Sequence, residues 1–337
     1  MIPGSAELRA HWQSLDRHAL EREQLARLNA LLETIRPDNQ FYAPALGQFP
    51  LPLRELAELE QFPYTTKEQL WGEGGLAANR TWPMERYVRF HQTSGTRGRP
   101  LIVLDTADDW RRWIDCWQYV LDAAEATPRD RVLMAFSFGP FIGFWSAFDA
   151  AVARGCLVVP GGGMPSANRL ELIRTSGASI VCCTPGYALH LAEVGRQKQI
   201  DVGSLGVRAL ILAGEPGGSI AATRERIERA WRAVAIDHAG ATEVGPWGYA
   251  DRARRGLHVI ESEFIAEFRA LATGRPAGDG ELAELVLTTL GRAGSPVIRY
   301  RTGDLVRPQR QQTGFVLLPG GVIGRLDDML IIRGVNV

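Results

Sequence analysis

Residues 92–100 of the chain read Gln92-Thr93-Ser94-Gly95-Thr96-Arg97-Gly98-Arg99-Pro100. The two glycines permit positive φ angles, so several backbone N–H groups can point at one position. The hydroxyl side chains add donors, and the two guanidinium groups add charge that suits phosphate oxygens. A Walker A loop is excluded, because the sequence contains no Gly-Lys dipeptide. Taken alone, the stretch fits a phosphate-binding loop and an ordinary Gly/Thr-rich turn equally well.

The composition is that of an ordinary globular protein. The 337 residues are 45% hydrophobic and 23% charged, which allows one large or two medium domains. Because the formal net charge is zero, charge favours neither nucleic acid nor a membrane as partner. No apolar run reaches about 18 residues, and the N-terminus lacks the pattern of a signal peptide. The adjacent Cys182 and Cys183 are expected to be buried, and we predict a cytoplasmic protein.

The middle of the chain alternates between strand-like and helix-like runs. This alternation predicts an α/β fold in which helices cover the faces of a sheet. Ser219 is expected to cap the last helix of the series. The predicted strands are 102–103, 132–136, 157–160, 180–184, 209–213 and 234–237, and the predicted helices are 107–126, 143–154, 168–176, 185–195 and 219–232.

The two ends of the chain have a different character. Leucines at steps of three and four predict a single helix over 6–35, and Thr65 with Glu68 has capping-box spacing for another. Beyond about residue 250, short strands and Gly/Pro/Asp turns predict a β-rich lobe, including a hairpin of 315–318 with 321–323. The sequence ends on apolar Val337 without a polar tail, so we expect it to be cut short.

Four further stretches offer side chains suited to nucleotide chemistry. AGEPGG at 213–218 lies between a predicted strand and helix, where open α/β sheets place ligands. DHAGATEVG at 237–245 offers the hydroxyl of Thr242 and the carboxylate of Glu243, a hard oxygen ligand for Mg²⁺. The alternatives are a plain strand–helix connection and a loop with a solvated glutamate.

The other two stretches lie in the β-rich part. YRTGD at 300–304 carries Asp304, whose carboxylate can accept two hydrogen bonds from a ribose diol. GRLDD at 324–328 combines Arg325 with two adjacent carboxylates. The alternative for Asp304 is an ordinary aspartate in a turn.

In their order, these five stretches resemble the motif succession of the adenylate-forming enzymes, which include acyl-CoA synthetases, luciferases and peptide-synthetase adenylation domains. The chain is most similar to the phenylacetate–CoA ligase branch, on PYTTK at 63–67, RFHQT at 89–93 and MLIIRGVNV at 329–337. The resemblance covers nearly the whole chain. It implies a large N-terminal domain over 1–325, with an α/β body to about 250 and the β-rich lobe at 251–325. Residues 326–337 would form the hinge and the start of a C-terminal lid domain missing from the sequence.

The resemblance also implies roles for individual residues. Thr242 would contact the α-phosphate of ATP, Glu243 would bind Mg²⁺, Asp304 would hold the ribose, and Arg325 would make a second ribose or phosphate contact. The β- and γ-phosphates would be held by Thr93, Ser94, Gly95, Thr96, Gly98 and Arg99, and the rest of the nucleotide by Gly214, Glu215, Pro216, His238, Ala239 and Gly240.

The implied reaction joins a carboxylic acid to ATP, giving an acyl-adenylate and pyrophosphate, after which coenzyme A displaces AMP. An aromatic acid is expected, because aromatic side chains flank Gly139-Pro140 in the segment that lines the acid pocket of the family. Packing of those rings in the core is the alternative. The expected acid contacts are Phe136, Phe138, Phe141, Trp145 and Ala241. A carrier-protein thiol in place of coenzyme A, a non-catalytic nucleotide-binding scaffold and a homodimer remain open.

Three departures from the family pattern qualify these expectations. Ala239 stands where the family usually has a tyrosine that stacks on adenine, so ATP should bind more weakly or the acid pocket should be larger. Residues 247–252 contain no cysteine, so we expect no zinc there. The family's catalytic lysine would lie in the missing C-terminal domain. We therefore expect the 337 residues to bind ATP and acid but to adenylate poorly and not to complete the thioester.

Overall fold

A computed structural model describes residues 5–93, 100–143 and 145–326, and the backbone of 331–332 and 335–336. Within these ranges the helices are α1 (Ala6–Ser14), α2 (Arg17–Ile35), α3 (Ala43–Gln48), α4 (Ala107–Ala123), α5 (Trp145–Ala153), α6 (Ser166–Ser176), α7 (Pro185–Gln197) and α8 (Ala221–Trp231). The strands are β1 (Tyr87–Gln92), β2 (Ile102–Thr106), β3 (Arg131–Met134), β4 (Leu157–Pro160), β5 (Ile180–Cys183), β6 (Ala209–Leu212), β7 (Val234–Ala241), β8 (Gly245–Tyr249), β9 (Gly256–Val259), β10 (Phe264–Ala270), β11 (Ala283–Thr289), β12 (Tyr300–Val306), β13 (Leu317–Pro319), β14 (Gly324–Arg325), β15 (Ile331–Ile332) and β16 (Val335–Asn336).

A sheet with the strand order β13-β9-β8-β7-β6-β5-β3-β4 forms the centre of the protein. Its strands β4, β3, β5, β6 and β7 are parallel, and β8, β9 and β13 continue it in antiparallel fashion. Helices cover both faces, and the central strands β5 and β6 are buried throughout their length, as is usual in a parallel sheet. The α/β fold predicted from the sequence is confirmed.

The adjacent cysteines show how both faces of this sheet are buried. Cys182 packs into the core beneath α4 and α5, whereas Cys183 packs into the core formed with α6, α7 and α8. Successive side chains of a strand point to opposite faces, so two neighbouring small apolar residues serve two different cores. Both thiols are free and buried, as expected from their apolar surroundings.

The β-rich part contributes strands to two sheets. Strands β10, β11, β12 and β14 form a separate antiparallel sheet, while β9 and β13 pair with each other at the edge of the large sheet. The predicted hairpin of 315–318 with 321–323 is therefore wrong. Gly320 and Gly321 both have positive φ angles, which redirect the chain from β13 in one sheet to β14 in the other.

The predicted single helix over 6–35 is interrupted at Leu15. The backbone of Leu15 is extended, and Asp16 caps α2 by accepting a hydrogen bond from Ala19 N at 2.8 Å. Aspartate is a favoured N-cap residue, so Asp16 could have predicted the start of a second helix. The regular leucine spacing on both sides of it predicted one uninterrupted helix instead.

Two predicted caps are also wrong. Thr65 is occupied elsewhere, since its Oγ1 donates to Ile298 O at 2.7 Å and its backbone lies beside β12. Ser219 is buried one residue before the cap position of α8, which Ile220 occupies without a side-chain hydrogen bond.

Among the helices that the structure describes, none is both long enough and apolar enough to cross a membrane.

Candidate active site

The loops that follow β6 and β7 begin at the carboxyl edge of the large sheet. After β6, Gly214, Glu215 and Pro216 are exposed, and Gly214 has a φ of 94°. Glu215 Oε1 accepts a hydrogen bond of 2.5 Å from Gly186 N in the first turn of α7. A carboxylate there interacts favourably with the helix dipole, so Glu215 fixes the segment against α7.

Strand β7 continues beyond Asp237, because residues 238–241 pair with β8. His238 Nδ1 donates to Gly248 O at 2.7 Å, and its ring lies 4.1 Å from that of Trp117. Gly240 has no room for a side chain, since a Cβ would lie 3.0 Å from Gly245 O. The structure thus places His238 in the core, while the half-buried Ala239 and Ala241 pack at its margin.

Glu243 lies in the turn between β7 and β8 and is only 6% exposed. Lys67 Nζ lies 2.9 Å from its Oε1, and Arg292 Nη1 donates to its backbone oxygen at 2.5 Å. The alternative of a solvated glutamate is therefore wrong. The neighbouring Thr242 is also buried.

Lys67 is a site residue that the sequence analysis did not identify. It belongs to the PYTTK stretch, which was noted only for its resemblance, and it is one of two lysines among 38 basic residues. The segment that carries Lys67 is held by the backbone of Thr65. Its carbonyl oxygen accepts from Arg301 N at 2.9 Å, and its N–H donates to Arg299 O at 3.0 Å. Lysine is rare in this arginine-rich chain, and this rarity could have drawn attention to Lys67.

Asp304 and Arg325 are directly opposite each other on the paired antiparallel strands β12 and β14. Arg325 Nη1 donates to Asp304 Oδ1 at 2.9 Å, and Asp304 is 8% exposed. Gly303, with a φ of 75°, gives the strand the irregular backbone that precedes this aspartate. The two predicted ribose contacts are thus brought together.

Tyr300 is a buried tyrosine on β12, the strand that also carries Asp304. It is 3% exposed at the start of β12, and burial raises the pKa of its hydroxyl, with further contributions from the charges of Glu243 and Asp304.

The phosphate-loop candidate connects β1 to β2. Thr93 N donates to Leu101 O, and Leu101 N donates to Thr93 Oγ1, both at 3.0 Å, which closes the base of the loop. The other predicted phosphate contacts lie outside the described residues: Ser94, Gly95, Thr96, Gly98 and Arg99.

The aromatic side chains after β3 form a half-buried cluster. Phe138 lies 4.7 Å from both Phe136 and Trp145, and Phe148, absent from the predicted set, lies 5.9 Å from it. Phe141 is 43% exposed. Phe136, Phe138 and Phe148 also pack against the main core, so these rings are structural on one side.

Among the described residues, no group of three or more His, Cys, Asp or Glu side chains could hold a metal ion. Glu243 nevertheless fits Mg²⁺ as a single protein ligand, because Mg²⁺ bound to nucleotides takes one or two carboxylates and completes its shell with phosphates and water. Its buried position and basic neighbours suit a site where phosphate charge is neutralised.

The buried His238 predicts a pH-dependent stability. Burial lowers the pKa of its imidazole to about 4 from 6.5, so its stabilising contribution is complete above pH 6.5 and is lost as the pH falls towards 4. His238→Asn keeps a donor towards Gly248 O and removes the titrating ring. We expect the loss of unfolding free energy between pH 7.5 and 5 to be smaller by about 2 kcal/mol in this variant than in the unmodified protein. Urea denaturation at both pH values measures it, and parallel losses in the two proteins would contradict it.

Comparisons with known proteins match the chain to AMP-binding enzymes and coenzyme A ligases. Residues 54–278 match the family model described as AMP-binding enzyme. The phenylacetate-coenzyme A ligase of Escherichia coli strain K12 is 36% identical over 306 residues, covering 87% of this chain and 67% of that protein. The ligase of the same name from Pseudomonas putida is 34% identical, covering 95% of this chain and 73% of its own length.

A solved structure extends the similarity to the whole chain. The crystal structure of 2-hydroxyisobutyryl-CoA ligase in the postadenylation state, in complex with 2-HIB-AMP, superimposes with a TM-score of 0.91 and 26% identity. The match covers 100% of this chain and 74% of the other.

Proposed function

The chain belongs to the AMP-binding enzyme family, and from this we propose that it is an AMP-forming acid–CoA ligase. It activates a carboxylic acid with ATP to an acyl-adenylate and transfers the acyl group to coenzyme A. The observation that carries the proposal is that the two predicted acidic site residues are both nearly buried and each pairs with a basic residue, Glu243 with Lys67 at 2.9 Å and Asp304 with Arg325 at 2.9 Å. These are the residue types that an ATP site requires for phosphate and ribose.

In the proposed mechanism, an oxygen of the acid attacks the α-phosphorus of ATP, and the bond to the β-phosphate breaks to release pyrophosphate. The sulfur of coenzyme A then attacks the acyl carbon, and the bond to AMP breaks. Asp304 and Arg325 hold the ribose, Thr242 contacts the α-phosphate, and residues 93–99 hold the other phosphates. Positioning and charge stabilisation dominate such phosphoryl chemistry.

Glu243 would hold Mg²⁺ in this mechanism, and the bound ion would supply positive charge to the phosphates. Lys67 pairs with the nearly buried carboxylate of Glu243 at 2.9 Å and so gives it a partner of opposite charge. With Glu243 holding the ion, the ammonium group of Lys67 would be free to bind phosphate oxygens.

We propose an arylacetic or related aromatic acid as the substrate. Phe136, Phe138 and Trp145 form a half-buried ring cluster after β3, and aromatic pairs contribute about 1 kcal/mol beyond the area that they bury. The named relatives differ here, since two are phenylacetate ligases and one is a 2-hydroxyisobutyryl ligase.

Acid-dependent exchange of labelled pyrophosphate into ATP tests the function. We expect phenylacetate to support the fastest exchange in a panel with benzoate, 2-hydroxyisobutyrate and acetate. Thioester formation is compared with coenzyme A and a carrier-protein thiol as acceptors. Preference for 2-hydroxyisobutyrate would overturn the aromatic assignment, and nucleotide binding without exchange would favour a non-catalytic scaffold.

Finer features are proposed on the same basis. We propose Mg²⁺ as the metal, a cytoplasmic location, a homodimer, and a division into a body to about residue 250, a lobe at 251–325 and a hinge at 326–337. Gel filtration with light scattering tests the homodimer.

A further inference from the structure

We propose that Asp105 and Arg292 form a positioning pair that aligns the Glu243 turn with the strand leaving the phosphate loop. The inference rests on the proposed function, because it assigns a task to residues beneath the ATP site. Neither residue belongs to any of the five sequence motifs.

Arg292 connects two segments that are distant in sequence. Its Nε donates to Asp105 Oδ1 at 2.7 Å, and its Nη1 donates to the backbone oxygen of Glu243 at 2.5 Å. Asp105 lies on β2, which begins two residues after the loop ends at Pro100. The guanidinium group therefore fixes the turn that carries the metal-ligand candidate to the strand that carries one end of the phosphate loop.

The ion pair of Asp105 and Arg292 is buried in the protein. Asp105 is 0% and Arg292 is 3% exposed, and the guanidinium carbon lies 4.9 Å from the centre of the Trp113 ring. Trp113 also abuts the end of the turn, because a Cβ on Gly245 would lie 2.7 Å from its Nε1. The arginine is thus held on the ring face with little freedom to release either partner.

Stability alone does not explain this arrangement. A buried ion pair loses hydration that its attraction only partly restores, and apolar residues of similar volume often stabilise a protein as well or better. An arginine has what an apolar residue lacks, a rigid set of donors that reaches a carboxylate and a carbonyl at once. Fixing the relative position of two ligand-binding segments is a task that uses this property.

The chain offers a control pair of the same residue types at the opposite edge of the sheet, where the arginine side chain is 39% exposed. Arg208 and Asp130 form an ion pair of 2.8 Å, and Arg208 also donates to the backbone oxygens of Ala124 and Glu125. This arginine precedes β6, at the amino ends of the parallel strands, so it joins carboxylate and carbonyl far from the carboxyl-edge loops.

The experiment compares Arg292→Lys and Asp105→Asn with Arg208→Lys. Isothermal titration calorimetry measures the Kd of ATP with and without Mg²⁺, and thermal unfolding measures stability. We expect both site variants to raise the Kd of Mg·ATP about tenfold, as loss of a group supporting a metal ligand typically does. The KM for the acid should stay unchanged in pyrophosphate exchange, and Arg208→Lys should lower the melting temperature without changing the Kd.

Two outcomes overturn the inference. One is an unchanged Kd of Mg·ATP in both site variants, and the other is an equal rise in all three variants, which would indicate general destabilisation. Failure of the proposed function differs from both, because the unmodified protein would then either bind no Mg·ATP or bind it without acid-dependent pyrophosphate exchange.

Discussion

Replacing Glu243 by glutamine is expected to lower acid-dependent pyrophosphate exchange by a factor of about 100 to 1000, the range observed when one group stabilising transition-state charge is removed. The amide keeps the shape of the side chain, and its oxygen can still accept from Lys67. What disappears is the negative charge, and with it the hard ligand that Mg²⁺ needs. The effect should therefore appear in catalysis and Mg·ATP affinity.

The melting temperature distinguishes a loss of catalysis in Glu243→Gln from unfolding of the variant. Glu243 is 6% exposed and pairs with a lysine whose side chain is 40% exposed, so loss of its charge leaves a cation that water can still reach. We expect the melting temperature of Glu243→Gln to remain close to that of the unmodified protein.

Glu261→Gln is the matched control for Glu243→Gln. Glu261 is also buried and also paired with a basic residue, Arg17, at 2.6 Å, but it joins the N-terminal helices to the core. This control should lose stability and keep its Kd for Mg·ATP. Exchange activity in Glu243→Gln within threefold of the unmodified protein would refute the assignment of Glu243 as the metal ligand.

The parallel strands of the large sheet could be predicted from the sequence because they contain short apolar runs, and β5 and β6 in its middle are buried throughout. Leu157–Pro160 matches the predicted bounds, and the other parallel strands begin within one residue of theirs. β7 is longer than predicted because His238 to Ala241 pair with β8, and small or polar residues carry no strand signal of their own. The local hydrophobic pattern thus predicted where the strands lie, and hydrogen bonding to neighbouring strands determined where they end.

The sequence predicted single site residues within motifs, but it did not predict which of them pair in the folded protein. Asp304 and Arg325 were identified separately, and the register of β12 and β14 makes them partners. Lys67 was missed because its partner Glu243 lies in another part of the chain, and no periodicity relates the two. Arg292 was missed for the same reason, since its function depends on contacts with β2 and with the turn after β7.

Replacing Asp304 by asparagine is expected to raise the KM for ATP by a factor of about 30 to 150. Two hydrogen bonds from ribose hydroxyls to a carboxylate contribute about 2 to 3 kcal/mol more than the same hydroxyls gain from a neutral amide with a single acceptor oxygen. Arg325, which donates to Asp304 Oδ1 at 2.9 Å, lies on the neighbouring strand and can stay solvated when the charge is lost. The fold of the lobe should therefore persist.

Deoxynucleotides distinguish a ribose contact from a general loss of binding. The unmodified protein should use 2′-deoxy-ATP and 3′-deoxy-ATP with a higher KM than ATP, whereas Asp304→Asn should discriminate much less, because the group that detects the hydroxyls is gone. Asp279→Asn serves as the control, since this aspartate of the same lobe pairs with Arg310 at 3.1 Å and its side chain is 52% exposed. If Asp304→Asn still discriminates as strongly as the unmodified protein, another residue binds the ribose and the aspartate only orders β12 against β14. If discrimination collapses while the melting temperature holds, the carboxylate acts on the nucleotide itself.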